Sequence, residues 1–193
     1  YYTDATETTK TAVLSQAVKY NQGKTTPDFY GSFVNTFSYK NFSLTAQLYA
    51  SWGGQVFETG GFLQNDNGNK RLSDDSNTSK YVYDNRWQKP GDVTDVPKYV
   101  YGNARSNTQS TRWLHDASFV RLKRVQLSYN VSDKLLEKTF IDKLRVHISA
   151  DNIWTYIKDK TLTNDPEIGG ITGAASFDTP LAKTVYFGIN VSF

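Results

Sequence analysis

The stretch TVYFGINVSF (184–193) constrains the fold more than any other part of the chain. Val185, Phe187, Ile189, Val191 and Phe193 alternate with Thr184, Tyr186, Gly188, Asn190 and Ser192. One face is continuously apolar and the other is small or polar. The period is two, and the length matches the roughly 9–11 tilted residues with which a β-strand crosses a hydrocarbon layer. The stretch ends on an aromatic of the apolar phase, so Tyr186, Phe187 and Phe193 read as the C-terminal assembly signal of an outer-membrane barrel. A mean hydropathy of −0.57 is compatible with this, because the lumen-facing half of each strand dilutes the average.

Composition agrees. Aromatics reach 15% of 193 residues, with Tyr 13 and Phe 11, as expected where a wet lumen and aromatic girdles must both be lined. The net charge of +3 is small and scattered, which excludes a nucleic-acid partner. Zero cysteines exclude disulfide scaffolds and thiolate metal sites. No run of about 18 apolar residues offers a transmembrane helix.

Further strands follow from the same alternation. In 29–39, Phe29, Phe33, Phe37 and Tyr39 oppose Tyr30, Ser32, Val34, Thr36 and Ser38. After a tight turn at Lys40-Asn41, Phe42, Leu44, Ala46, Leu48, Ala50 and Trp52 oppose Ser43, Thr45, Gln47, Tyr49 and Ser51, which predicts a hairpin. In 118–131, Val125, Leu127, Tyr129 and Val131 oppose Gln126, Ser128 and Asn130. The early half (Val120, Arg121, Leu122, Lys123) breaks phase, through either a bulge or a projection beyond the membrane. A fourth strand sets Leu144, Val146, Ile148 and Ala150 against Arg145, His147, Ser149 and Asp151. The segment 11–20 predicts a short helix or loop element.

The expected fold is all-β, an antiparallel transmembrane barrel segment with a lead-in at 1–28 and barrel strands within 29–193. Long loops at 53–116 and 155–181 lie outside the cell, and the short connections at 40–41 and 132–142 face the periplasm. About five strands cannot close a barrel, since the smallest use about eight, and an open edge in lipid leaves unpaired backbone groups. Either several copies complete one barrel, or the chain is the C-terminal piece of a larger one. The opening at Tyr1-Tyr2, with no start signal, favours the second.

The residues then point to a family. TRWLHDASFVRLKRVQLSYNVS (111–132) resembles the RWLxDASFVRLKNVxLSYxLP segment of SusC-like (RagA-like) TonB-linked outer-membrane transporters. Further blocks are similar in the same order: 26–54, 86–99, 143–156, NDPEIGG (164–170) and the final strand. Arg124 stands where the pattern has Asn, and Val131-Ser132 replaces Leu-Pro. The resemblance implies a plugged barrel of 22 strands, of which this chain supplies about the last five. It also implies a SusD-like surface lipoprotein lid, import driven by TonB through the N-terminal part, and oligosaccharides or peptides as substrates. The implied partners are therefore that lipoprotein, the remainder of the transporter, TonB, the barrel-assembly machinery and the bilayer, in the bacterial outer membrane.

Catalytic, cofactor and metal sites are not expected. No nucleophile constellation stands out, and His115 and His147 lack metal-ligand spacing. His115 reads as a rim residue. Asp66, Asp74 and Asp75 lack the order of a calcium loop, and Asp165-Pro166-Glu167 reads as a turn. The polar phases give candidate lumen-lining residues: Tyr30, Ser32, Thr45, Gln47, Tyr49, Gln126, Arg145 and His147. Tyr81, Tyr83, Trp87, Tyr99 and Tyr101 are candidate loop contacts to substrate or lipoprotein, because flat aromatics stack on sugars and anchor interfaces. Trp52, Trp113 and Trp154 are expected in an interfacial girdle. Two other classes are a self-assembling multichain porin and, against the apolar outward rows, a soluble carbohydrate-binding β-domain.

Overall fold

The computed structural model describes residues 1–61, 65, 67–68, 78–102, 108–168, 173–175 and 179–193. Five long strands form one antiparallel sheet: β1 (Phe29–Tyr39), β2 (Phe42–Trp52), β5 (Phe119–Asn130), β6 (Lys143–Ile157) and β8 (Thr184–Ser192), in that spatial order. Each pairs with its predecessor, so the sheet is an up-and-down meander. Lys40 takes a left-handed φ of 52° in the turn between β1 and β2.

Register assigns every side chain to a face, since successive residues point to opposite sides. Phe33, Leu48, Leu122 and Trp154 lie in one row across four strands, and Leu44, Leu127, Ile148 and Phe187 in another. Among the described residues no second sheet or helix covers this apolar face: Phe33 is 63% exposed and Phe187 66%. The phase break in β5 is a bulge. Arg124 pairs with Gln47 and Leu122 with Leu48, which leaves Lys123 as the extra residue. β6 answers it at Asn152, whose φ is 55°. The bulge restores Val120 and Leu122 to the apolar face and turns Arg121 to the polar one.

A second sheet, of order β4-β3-β7, continues the β2/β5 pair beyond one end of the first. Its strands are β3 (Gln55–Glu58), β4 (Leu114–Asp116) and β7 (Ala174–Ala175). The chain passes from β2 to β3 through Gly53 and Gly54, at φ 80° and 76°. A Cβ on Gly54 would stand 2.7 Å from the Thr25 carbonyl oxygen, so this hinge requires glycine. Val56 and Leu162 form a small core here, against Ala117 and Ile157. The long connection expected at 53–116 therefore carries structure of its own, including helix α1 (Lys80–Asn85) capped by Ser79. At the opposite end the 132–142 connection holds a single helical turn, α2 (Asp133–Leu136). Within 11–20 the only regular element is a 3-10 turn, Leu14–Gln16.

Candidate functional site

All eight candidate lumen residues stand on the polar face of the large sheet. Tyr30 pairs with Ser51, Ser32 with Tyr49, Thr45 with Gln126, Gln47 with Arg124, Tyr49 with Arg121, and His147 with Ser128. Toward the short-turn end they are tied by hydrogen bonds rather than ion pairs. Ser149 donates to Gln126 Oε1 (2.9 Å), while Gln126 Nε2 (3.1 Å) and Arg145 Nη2 (2.9 Å) donate to Ser128. The serines are buried beneath these longer side chains. His147 lies across from Gly188, where a Cβ would fall 2.3 Å from its ring, so the glycine makes room for the imidazole.

Toward the long-loop end the polar face carries charge that the sequence reading did not assemble. Arg121, 2% exposed, donates to both Asp165 oxygens (2.6 and 2.7 Å) and lies 2.9 Å from Glu167. Lys123 pairs with Glu167 from the neighbouring position. Arg124 makes a two-pronged pair with Asp151 (2.9 and 3.0 Å), which also accepts the Tyr186 hydroxyl (2.9 Å). The bulge turns Arg121, Lys123 and Arg124 to one side, the re-aiming for which bulges are used. Asp165-Pro166-Glu167 is thus more than a turn: its two carboxylates hold the strap 158–168 down on the sheet. The sequence signal was the phase break itself, three cations within four residues of a strand.

The outer sheet contains a second ionic group. His115, expected at the rim, is 7% exposed, between Glu58 (Nε2 to Oε2, 3.4 Å) and Asp159 (Nδ1 to Oδ2, 3.1 Å). Glu58 also accepts the Thr163 backbone N–H (3.0 Å) and its hydroxyl. Burial pushes the Glu58 carboxyl up, but the bonds from His115 and Thr163 together outweigh it and leave it below its ordinary value. For His115 burial pushes down, and the two carboxylates more than compensate, so its imidazolium is favoured. No group of three or more metal-ligating side chains occurs among the described residues.

Of the loop aromatics, Tyr83 and Tyr99 share an open groove with Lys80, Val82 and Arg86, while Tyr81 faces the other way, toward Arg112, Trp113 and His115. Lys98 lies over Trp87, and Tyr101 is exposed. The five therefore do not form one cluster. Trp52 and Trp154 stand on the apolar face. Trp113 does not: it is buried in the loop fold, its indole N–H donating to the Thr108 carbonyl (3.1 Å), because it precedes β4 rather than lying in a membrane strand. Phe187 lies on the apolar face, Tyr186 on the polar one, and Phe193 stacks on Phe140 (5.6 Å). Asp66, Asp74, Asp75 and Gly169-Gly170 lie outside the described residues.

An antiparallel meander with one bare apolar face, one polar face, tight turns at one end and folded loops at the other is a section of transmembrane β-barrel wall. No family model matches the chain. It is 28% identical over 188 residues to TonB-dependent receptor P3 of Formosa agariphila, and 24% identical over 181 residues to TonB-dependent receptor P26 of the same organism. Each match covers 89% of this chain and 17% of the relative, so the chain spans about one sixth of their length. Among solved structures it superposes on a chain of the RagAB peptide importer in its closed-closed state, with a TM-score of 0.72 and 30% identity over 90% of this chain and 18% of that one. The open-open state of the same importer gives 0.70 and 29%, over 88% and 17%. Over most of its own length the chain is thus similar to TonB-dependent receptors and to a chain of the RagAB importer.

Proposed function

We propose that the chain forms part of the wall and outer loops of a TonB-dependent importer that carries oligosaccharides or peptides, working beneath a SusD-like lipoprotein. The observation that carries this reading is the division of the large sheet into a predominantly apolar face and a hydrogen-bonded polar face. The likeness to a chain of the RagAB peptide importer supports it. In this reading strands within 29–193 belong to the barrel, residues 1–28 lead in, and the loops 53–116 and 155–181 lie outside the cell. Tyr30, Ser32, Thr45, Gln47, Tyr49, Gln126, Arg145 and His147 line the path. The loop aromatics meet lid or substrate, and Tyr186, Phe187 and Phe193 are read by the assembly machinery. The role is passage, with the energised step carried by parts of the transporter outside this chain.

A cysteine scan tests it. Single cysteines at Ser32, Thr45, Gln47 and Gln126 react with a hydrophilic maleimide in intact outer membranes, while those at Phe33, Leu44, Leu48 and Leu127 do not. Exchange of the two sets overturns the reading. So does nutrient uptake through the receptor that persists when TonB is deleted.

A further inference from the structure

Where the two sheets meet, the polar face encloses a cavity of about 200 Å³. That is smaller than the roughly 300–1,000 Å³ of pockets that engulf whole ligands, so it holds a single ring or short side group. Tyr49 and Phe119 form its aromatic wall, with ring centroids 5.7 Å apart and planes tilted by 54°. Thr26, Ser51 and Gln55 supply hydroxyl and amide groups, and Glu167 supplies a carboxylate. Among the described residues Glu167 is the only charged one lining the cavity, and its charge is already met by Arg121 and Lys123. Lys123 also lies over the Tyr49 ring (5.4 Å), which joins the aromatic wall to the ion pairs holding the strap.

This chemistry selects among ligands. A charged side group would enter without an uncompensated counter-charge, at the desolvation cost that buried ions carry. A purely apolar group would leave the hydroxyls, amide and carboxylate unsatisfied. A neutral polyhydroxylated ring meets both demands, laying its C–H face on the aromatics and its hydroxyls on the polar rim. Resting on the importer reading above, we infer that this cavity is a subsite for one neutral sugar ring, with Tyr49 as platform and Glu167 as hydroxyl acceptor. Arg121 is a positioning residue that fixes the strap and hence Glu167.

Titration calorimetry on the full receptor purified from outer membranes tests this. The probes are maltotriose, cellotriose, laminaritriose and mannotriose, with trialanine as the peptide. At least one sugar binds, and Tyr49→Ala or Ser51→Trp weakens it by about tenfold or more, with heat-modifiable gel migration unchanged. Gln55→Ala, outside the long strands, replaces either variant if it does not assemble. The subsite is overturned if no sugar binds, if only trialanine binds, or if the variants that assemble bind sugar as the parent does. These failures differ from failure of the importer reading: a receptor lacking the subsite still gives TonB-dependent uptake, whereas a chain that is no importer gives none.

Discussion

The two sheets meet end to end, β2 leading into β3 and β4 into β5, yet are built on different rules. The large sheet leaves most of its apolar side chains bare on one face, and the residues buried on the other are Ser128, Ser149, Arg121 and, where it meets the outer sheet, Phe119. The outer sheet buries Val56 beside Leu162 in the manner of a soluble protein and holds Glu58 and His115 within it. The difference teaches where each is dissolved. A membrane solvates the first sheet's apolar face, so register and internal hydrogen bonds define it. The outer sheet must supply its own core, and that core is small, so ion pairs from the strap and from Asp159 add to it.

If this contrast is right, the largest effect comes from the buried charge that joins the two sheets. Arg121→Ala leaves Asp165 and Glu167 facing each other without their buried cation, at a cost of roughly 3–5 kcal/mol. Arg124→Ala breaks a pair whose arginine side chain is 49% exposed, and costs about 1 kcal/mol or less. Urea unfolding in lipid vesicles, with hydrogen exchange across 158–168, measures both. Equal losses would mean that the strap is not clamped by Arg121.

The next effect separates the faces. Leu127→Arg places a cation on the apolar face three residues from the end of β5, where a cost of at most roughly 2–4 kcal/mol is expected. Gln126→Arg, one residue away on the polar face, is nearly neutral. The same unfolding experiment compares them, and a penalty for Gln126→Arg as large as that for Leu127→Arg would reverse the assignment of faces.

These two predictions differ in how far the sequence foretold them. The strands β1, β2 and β8 were legible to within a residue, because a period of two survives wherever one face meets a different solvent. The break at Arg121–Lys123 was visible too, but alternation alone could not distinguish a bulge from a strand leaving the membrane. Register across β2 and β6 settles that. The partners of Arg121, Asp165 and Glu167, lie more than forty residues away in a loop with no periodicity, so the strap was not legible at all. Nor was the burial of Trp113 and His115. His115 lies in β4 and Trp113 just before it, and a strand of only three residues cannot display an alternation. Residue type suggested an interfacial tryptophan and a rim histidine, and tertiary packing overrode both.

A third prediction concerns the joint. Gly54→Ala forces a left-handed φ on an L-residue, costing roughly 1–2 kcal/mol before the contact with Thr25 is counted. The loss falls on the outer sheet: amide protection at 55–58 and 114–116 drops while that of β2 and β5 is retained. Uniform loss across both sheets would show that they unfold as one unit and that the contrast between them is only one of surface.

The smallest effect is the most specific, because only the outer sheet carries a buried imidazole between carboxylates. His115 titrates above its ordinary value of 6.5 when folded, so its contribution is complete below that value and disappears as pH rises through the raised folded value. Glu58 and Asp159 titrate below their ordinary values of 4.5 and 3.8, so their contributions are complete above those values and disappear as pH falls through the depressed ones. The outer sheet is therefore held most firmly between about 4.5 and 6.5, where the imidazolium and both carboxylates are charged together. Hydrogen exchange corrected for its intrinsic pH dependence follows this window at Val56 and Phe57. His115→Asn removes the alkaline limb and weakens the acid limb, since a neutral amide has nothing to titrate and is a weaker donor to both carboxylates. An alkaline limb that survives His115→Asn would assign the titration to another group, and the buried imidazole would then be a spacer rather than a charge.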